Sequence, residues 1–117
     1  MKVDFLKQLH GLPQPAAGNY PNGTPFVRAL SHGSMSVELF VPGTSELGRD
    51  IQQAHAQDEL YVVQRGTSSF WLDGQRMKVQ TGDVLFVPAG VQHRFEHFSD
   101  NFATWVVFYG PQGGEKT

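Results

Sequence analysis

From Phe26 onward the chain consists of short apolar and β-branched runs separated by turn residues. FVRAL (26–30) comes first. SMSVELFV (34–41) follows, with Met35, Val37 and Leu39 on one face, and Pro42-Gly43 closes it. ELYVVQ (59–64), SSFWLDG (68–74), QRMKVQ (75–80), DVLFVP (83–88), HRFEHF (93–98) and ATWVVFYG (103–110) continue the series. Asp73-Gly74 is a tight-hairpin signal. Strands at such short, regular spacing predict an all-β sandwich or barrel. ELYVV and TWVVFY are apolar on both faces. One face fills the interior, and the other needs a second sheet or a partner subunit. An uncovered apolar face favours association, so the chain is expected to be a homodimer.

The N-terminal part lacks this rhythm. Phe5, Leu6 and Leu9 within Val3–His10 suit one or two helical turns packed on the outside. GLPQPAAGNYPNGTP then reads as an extended arm without a helix, lying along a neighbouring subunit or forming a surface loop. GPQGGEKT at the other end reads as disordered or loosely held. The expected organisation is one domain over 1–117: an arm (1–25), a barrel (26–110) and a tail (111–117).

Composition narrows the function. A length of 117 residues suits one domain, and a net charge of -2 gives no electrostatic case for nucleic acid or an anionic membrane. The chain has no Cys, so disulfides, thiolate metal sites and a Cys nucleophile are excluded. MKVDFLKQLH has an acidic residue and no apolar core, unlike a signal peptide, and no run approaches the ~20 apolar residues that span a bilayer. A cytoplasmic location is the expectation.

Two segments carry candidate chemistry. The first is Gln53-Ala54-His55-Ala56-Gln57-Asp58-Glu59, with Gly66 after it; the second runs from Gly82 through Pro88-Ala89-Gly90 to His93. On an extended chain Gln53 and His55 share a face, and Glu59 joins them if the strand continues. A His and a Glu aimed into an apolar barrel are costly unless satisfied. A divalent cation is the simplest partner, and imidazole with carboxylate suits first-row metals.

These segments resemble the two motifs of the cupin superfamily. In the first, the Glu59 to Gly66 interval fits, His55 takes the second His position, Gln53 stands at the first, and Gly48 lies one residue nearer than the strict pattern. In the second, Gly82, Pro88, Gly90 and His93 fit without a gap, and His97 stands where the pattern has Asn. The resemblance covers roughly Phe26 to Tyr109. It implies a cupin-type double-stranded β-helix, a jelly-roll-like barrel, with a metal near one mouth and His55, Glu59 and His93 as ligands. Gln53 is either a fourth ligand, as in the similar Gln-x-His pair of phosphomannose isomerases, or a partner of metal-bound water. The implied cofactor is one divalent first-row ion (Fe, Mn, Ni or Zn).

The remaining polar residues are weighed in the same way. His97 is a candidate acid or base if it lines the cavity, against a place at the rim or surface. His10 and His32 read as solvated, and Asp58 faces out by parity. Arg28, Arg65 and Arg94 anchor a substrate carboxylate only if they point inward. The aromatics are mostly core, with a few lining the cavity. The expected function is that of a metal-dependent, oxygenase-like enzyme on a small organic substrate. The alternatives are a non-catalytic ligand-binding or sensing protein and an isomerase or epimerase on a sugar or keto acid.

Overall fold

The structure is a computed structural model and describes residues 1–116. Every expected run forms a strand: β1 (Phe26–His32), β2 (Met35–Phe40), β3 (Asp58–Arg65), β4 (Thr67–Leu72), β5 (Gln75–Gln80), β6 (Val84–Val87), β7 (His93–Glu96) and β8 (Ala103–Tyr109). The expected helical turns are α1 (Phe5–His10), where the Asp4 side chain accepts the Lys7 N–H. The strands make two antiparallel sheets, one in the order β1-β2-β8-β3-β6 and one in the order β5-β4-β7. Asp73 (φ 46) and Gly74 (φ 88) form the β4–β5 turn, as the two left-handed positions of a tight hairpin require.

The sheets close on a core of Phe40, Tyr61, Val63, Val87 and Val106 from one and Phe70, Val79 and Phe95 from the other, with Phe102 between. Phe95 is its hub, 4.7 Å from Phe70, 4.9 Å from Phe102 and 5.1 Å from Tyr61 by ring centroids. Gly66 joins β3 to β4 at φ 86, where a Cβ would come 2.6 Å from Ser99 Oγ. Only glycine serves there, and this is the Gly that the first motif requires.

A second cluster lies on the outside of the larger sheet. Leu39, Val41 and Ala103 pack there with Val27 and Trp105, covered by Phe5 and Leu9 of α1. β2 therefore turns its aliphatic positions outward, to the helix. Its inward positions are Ser36, Glu38 and Phe40, which places a carboxylate inside the barrel. The same outer face is uncovered farther along, where Val84 and Phe86 of β6 are 60% and 49% exposed. Val62 pairs with Val84, and Leu60 with both Phe86 and Val107, so these side chains extend one apolar patch.

The arm, and the tail as far as Lys116, are more ordered than their composition suggests. The arm folds back through bridges between Gln14 and Thr24 and between Ala17 and Tyr20, and buried Tyr20 packs edge-on to Phe26 at 5.9 Å. The tail is docked, not loose: Gly113 N–H donates to the Ala56 carbonyl (2.7 Å) and Glu115 N–H to Asp58 Oδ2 (2.8 Å). Among the described residues, no helix is long and apolar enough to cross a membrane.

Phe95→Ala would leave a void between the two sheets. It is expected to lower the unfolding free energy by about 3–5 kcal/mol, measured by urea denaturation.

Candidate metal centre

His55, Glu59 and His93 converge, each offering one donor atom, with all three atoms within 4.8 Å of one another. Glu59 enters from the inner face of β3 and His93 from the start of β7. His55 does not come from a strand. The 51–57 segment is irregular and β3 begins only at Asp58, so strand parity does not aim His55. Its carbonyl instead accepts Gly90 N–H (2.8 Å), which ties the His55 loop to the Pro88-Ala89-Gly90 turn. That turn precedes His93, so one hydrogen bond couples the two imidazole-bearing segments.

The side chains of Glu59 and His93 are 1% and 0% exposed, and that of His55 is 35% exposed. His55 Nδ1 lies 2.7 Å from Glu59 Oε2, and His93 Nε2 lies 3.2 Å from Glu59 Oε1. The second contact is poorly directed, so Oε1 is buried without a hydrogen-bond partner. Burial pushes the Glu59 carboxyl up, but the two imidazoles outweigh it and hold the pKa at about 2. Burial works against a charged His93, yet the Glu59 carboxylate and the Val91 carbonyl raise its pKa.

A chain of partners fixes the His93 ring. Its Nδ1 lies 2.8 Å from the Val91 carbonyl oxygen, an acceptor only, so Nδ1 carries a proton. Its Nε2 lies 3.1 Å from Tyr61 Oη. Buried Asp50 accepts the Phe95 N–H (2.8 Å) and the Gln52 side-chain amide (2.6 Å). That leaves Gln52 Oε1 to accept the Tyr61 hydroxyl (2.9 Å), so Tyr61 turns its oxygen lone pairs toward His93. Nε2 therefore meets only acceptors, Glu59 and Tyr61, and a proton there serves Tyr61 while leaving Glu59 Oε1 without a directed donor. A divalent cation can take that proton's place, since metal ligands bind deprotonated. Ligand bonds of about 2.0–2.2 Å put adjacent donors roughly 3 Å apart, close to the spacings present. The orphaned Glu59 oxygen and the His-Glu-His donor set thus fit a first-row divalent ion.

One side of the centre is open. A cavity of about 600 Å³ is bounded by His55 and Tyr61, by Phe26, Phe40, Val106 and Phe108, and by Tyr20 of the folded-back arm. Gln53 is exposed and lines this cavity, as do Arg28 and Glu38. His97 does not line it: it is exposed just beyond β7, at φ 54, beside two other clefts. His10 and His32 are exposed, as expected. Arg65 and Arg94 are engaged elsewhere, over the rings of Phe5 (5.2 Å) and Trp71 (4.7 Å). Of the three arginines, Arg28 alone borders the cavity.

Asp58 does not face solvent, as parity suggested. It is 5% exposed and accepts Ala89 N–H (2.9 Å) on one oxygen and Glu115 N–H (2.8 Å) on the other. The docked tail closes over it: at Gly114 (φ 89) a Cβ would stand 2.9 Å from Asp58 Oδ1. Sequence reading also passed over Tyr61, Gln52, Asp50 and Glu38. Tyr61 shares the parity of Glu59, which was the available signal. Asp50 and Gln52 sit in an irregular loop and gave none.

The chain belongs to the cupin family: residues 36–109 match the cupin domain. An uncharacterized protein of Streptomyces coelicolor is 37% identical over 93 residues, which is 78% of this chain and 85% of that protein. A cupin-2 domain containing protein from Shewanella frigidimarina is similar in structure, with a TM-score of 0.59 and 15% identity over 92% of this chain and 94% of that one. A Cupin 2 conserved barrel domain protein from Salinispora arenicola has a TM-score of 0.54 and 16% identity, covering 73% and 74% of the two chains. At these identities the structural likeness is one of fold.

Asp58→Ala would leave two backbone N–H groups without their acceptor. It is expected to destabilise the protein by about 2–4 kcal/mol, and Asp58→Asn by less, since one acceptor oxygen survives; chemical denaturation of both variants checks this.

Proposed function

We propose that this cupin binds one divalent first-row transition ion (Fe, Mn, Ni or Zn) through His55, Glu59 and His93. We further propose that it is a metal-dependent enzyme on a small, anionic, chelating organic molecule held in the adjoining cavity. The observation that carries this reading is the buried Glu59 carboxylate, with one oxygen lacking any donor, set between two imidazoles. Three protein donors leave coordination positions free for a ligand.

When bound, such an ion supplies Lewis acidity and, for a redox metal, a starting point for oxygenase chemistry. The chain's own residues do the rest. The Val91 carbonyl fixes which His93 nitrogen faces the centre, and the Gly90 N–H holds the His55 loop. Glu59 contributes one negative charge between two neutral imidazoles, so a dication leaves the centre with a net charge of plus one. That favours an anionic chelator, and Arg28 at the cavity wall adds a second positive charge. Phe26, Phe40 and Phe108 shield the bound molecule from water. Gln53, on the same wall, supplies a fourth donor directly or through water. A non-catalytic binding or sensing protein would use the same centre, and turnover separates the two.

Purified protein reconstituted with Fe, Mn, Ni or Zn should retain about one ion per chain by elemental analysis. His93→Ala should lose at least tenfold in affinity, more than the loss from Gln53→Ala, with the far-ultraviolet circular dichroism spectrum unchanged. Retention of no ion by the wild type would contradict the proposal.

The chain is also proposed to pair with a second copy through the uncovered patch around Val84 and Phe86 on the outer face of β6. Light scattering should give a homodimer at micromolar concentration, and Phe86→Glu should give a monomer. A monomeric wild type would contradict the pairing.

A further inference from the structure

Glu38 is a half-buried carboxylate that the metal centre leaves over. On β2 it pairs with Val106 of β8, which pairs in turn with Tyr61 of β3; Ser36, Phe108 and Glu59 form the adjacent row. Glu38, Tyr61 and Glu59 therefore share the inner face of one sheet, with Glu38 two strands from Glu59. Among the described residues, Glu38 is the one carboxylate lining the cavity, and its side chain is 16% exposed. It stands apart from the three clustered donors. Its nearest cation is Arg28, at 3.9 Å on β1, with a side chain 65% exposed. A pair so open to solvent stabilises little and does not explain why a carboxylate is kept inside.

The charged groups that act on Glu38 are Arg28 from β1, His55 from the loop before β3 and Glu59 from β3. Burial raises its pKa, Arg28 and His55 oppose that, Glu59 adds to it, and the balance is upward. A carboxylate held at the wall of an open cavity, outside the donor cluster, is placed for proton transfer.

We infer that Glu38 is a catalytic residue of this site, the base that moves a proton at the carbon next to a carbonyl, and that the substrates are small α-keto or α-hydroxy carbonyl acids. This rests on the metal-dependent reading above and narrows it to enolisation. The Glu38 carboxylate takes the proton. The C–H electron pair becomes the C=C bond of the enolate, and the carbonyl π pair moves onto oxygen. The resulting Glu38 carboxylic acid, its proton exchanged with solvent, then returns a proton to the same carbon, giving exchange. In an α-hydroxy carbonyl substrate it can return the proton to the former carbonyl carbon instead, while the hydroxyl proton passes to the former carbonyl oxygen and the hydroxyl-bearing carbon becomes the new carbonyl, giving isomerisation. No oxidant or reductant enters. Arg28 meets the substrate carboxylate at the mouth.

The test uses the full chain, reconstituted with metal, in deuterated water with pyruvate and with 2-oxobutyrate. Proton NMR follows exchange at the carbon beside the keto group, and calorimetry follows metal and keto-acid binding. Wild type should accelerate exchange over the same metal in buffer. Glu38→Gln should lose 10²–10⁴-fold of that rate, with metal content unchanged and keto-acid affinity within about threefold, roughly 0.6 kcal/mol. Glu38→Asp, which keeps the carboxylate, should retain part of the rate. Exchange as fast in Glu38→Gln as in wild type would overturn the assignment. So would a wild type that holds metal yet exchanges neither acid. A wild type that holds no metal would overturn the metal reading, and this one with it.

Discussion

The burial of the Glu59 carboxylate constrains everything around it. A charge removed from water must be matched by hydrogen bonds or by opposite charge, or the fold bears a cost of several kcal/mol. Two imidazoles meet part of that demand, and one carboxylate oxygen stays without a donor. The strongly lowered Glu59 pKa and the raised His93 pKa express the same demand from its two sides. A proton on His93 is one answer to it. A divalent cation is another, and it satisfies all three side chains together.

The rest of the molecule serves to hold that arrangement. β3 carries Glu59 and Tyr61 on one face, and pairing with β6 and β8 fixes their depth. Asp50, Gln52 and Tyr61 form a chain of acceptors and donors that ends on the His93 ring. Asp58 gathers the Ala89 turn and the Glu115 tail onto the segment that bears His55. These links join parts of the chain far apart in sequence, so the centre depends on the closed barrel and not on one local motif. The cavity beside it has an aromatic wall, one carboxylate and one arginine. An aromatic cavity with two specific polar handles has the make-up that suits a small molecule.

Much of this was legible in the sequence, for identifiable reasons. The strands announce themselves by apolar runs and turn residues, and all of them form where expected. The spacing from Gly82 to His93 and from Glu59 to Gly66 marked the cupin motifs, and Gly66 proves to be a position where no Cβ fits. The failures came from non-local partners. Asp58 looked exposed by parity because its two N–H donors, Ala89 and Glu115, lie far along the chain. The tail looked loose and the arm extended because Gly and Pro give no pattern, yet backbone hydrogen bonds fold the arm back on itself and tie Gly113 of the tail to Ala56. The parity argument for His55 assumed a strand that had not yet begun. Glu38 went unremarked because β2 offers α1 its aliphatic side and turns its polar side to the cavity.

The central claim is that the His55–Glu59–His93 cluster is a cation site. Anomalous diffraction from crystals grown with manganese or zinc, recorded on both sides of the metal's absorption edge, tests it directly. The account predicts one peak per chain at about 2.0–2.3 Å from a donor atom of each of the three side chains. No peak there, or a peak held by surface residues alone, would contradict it.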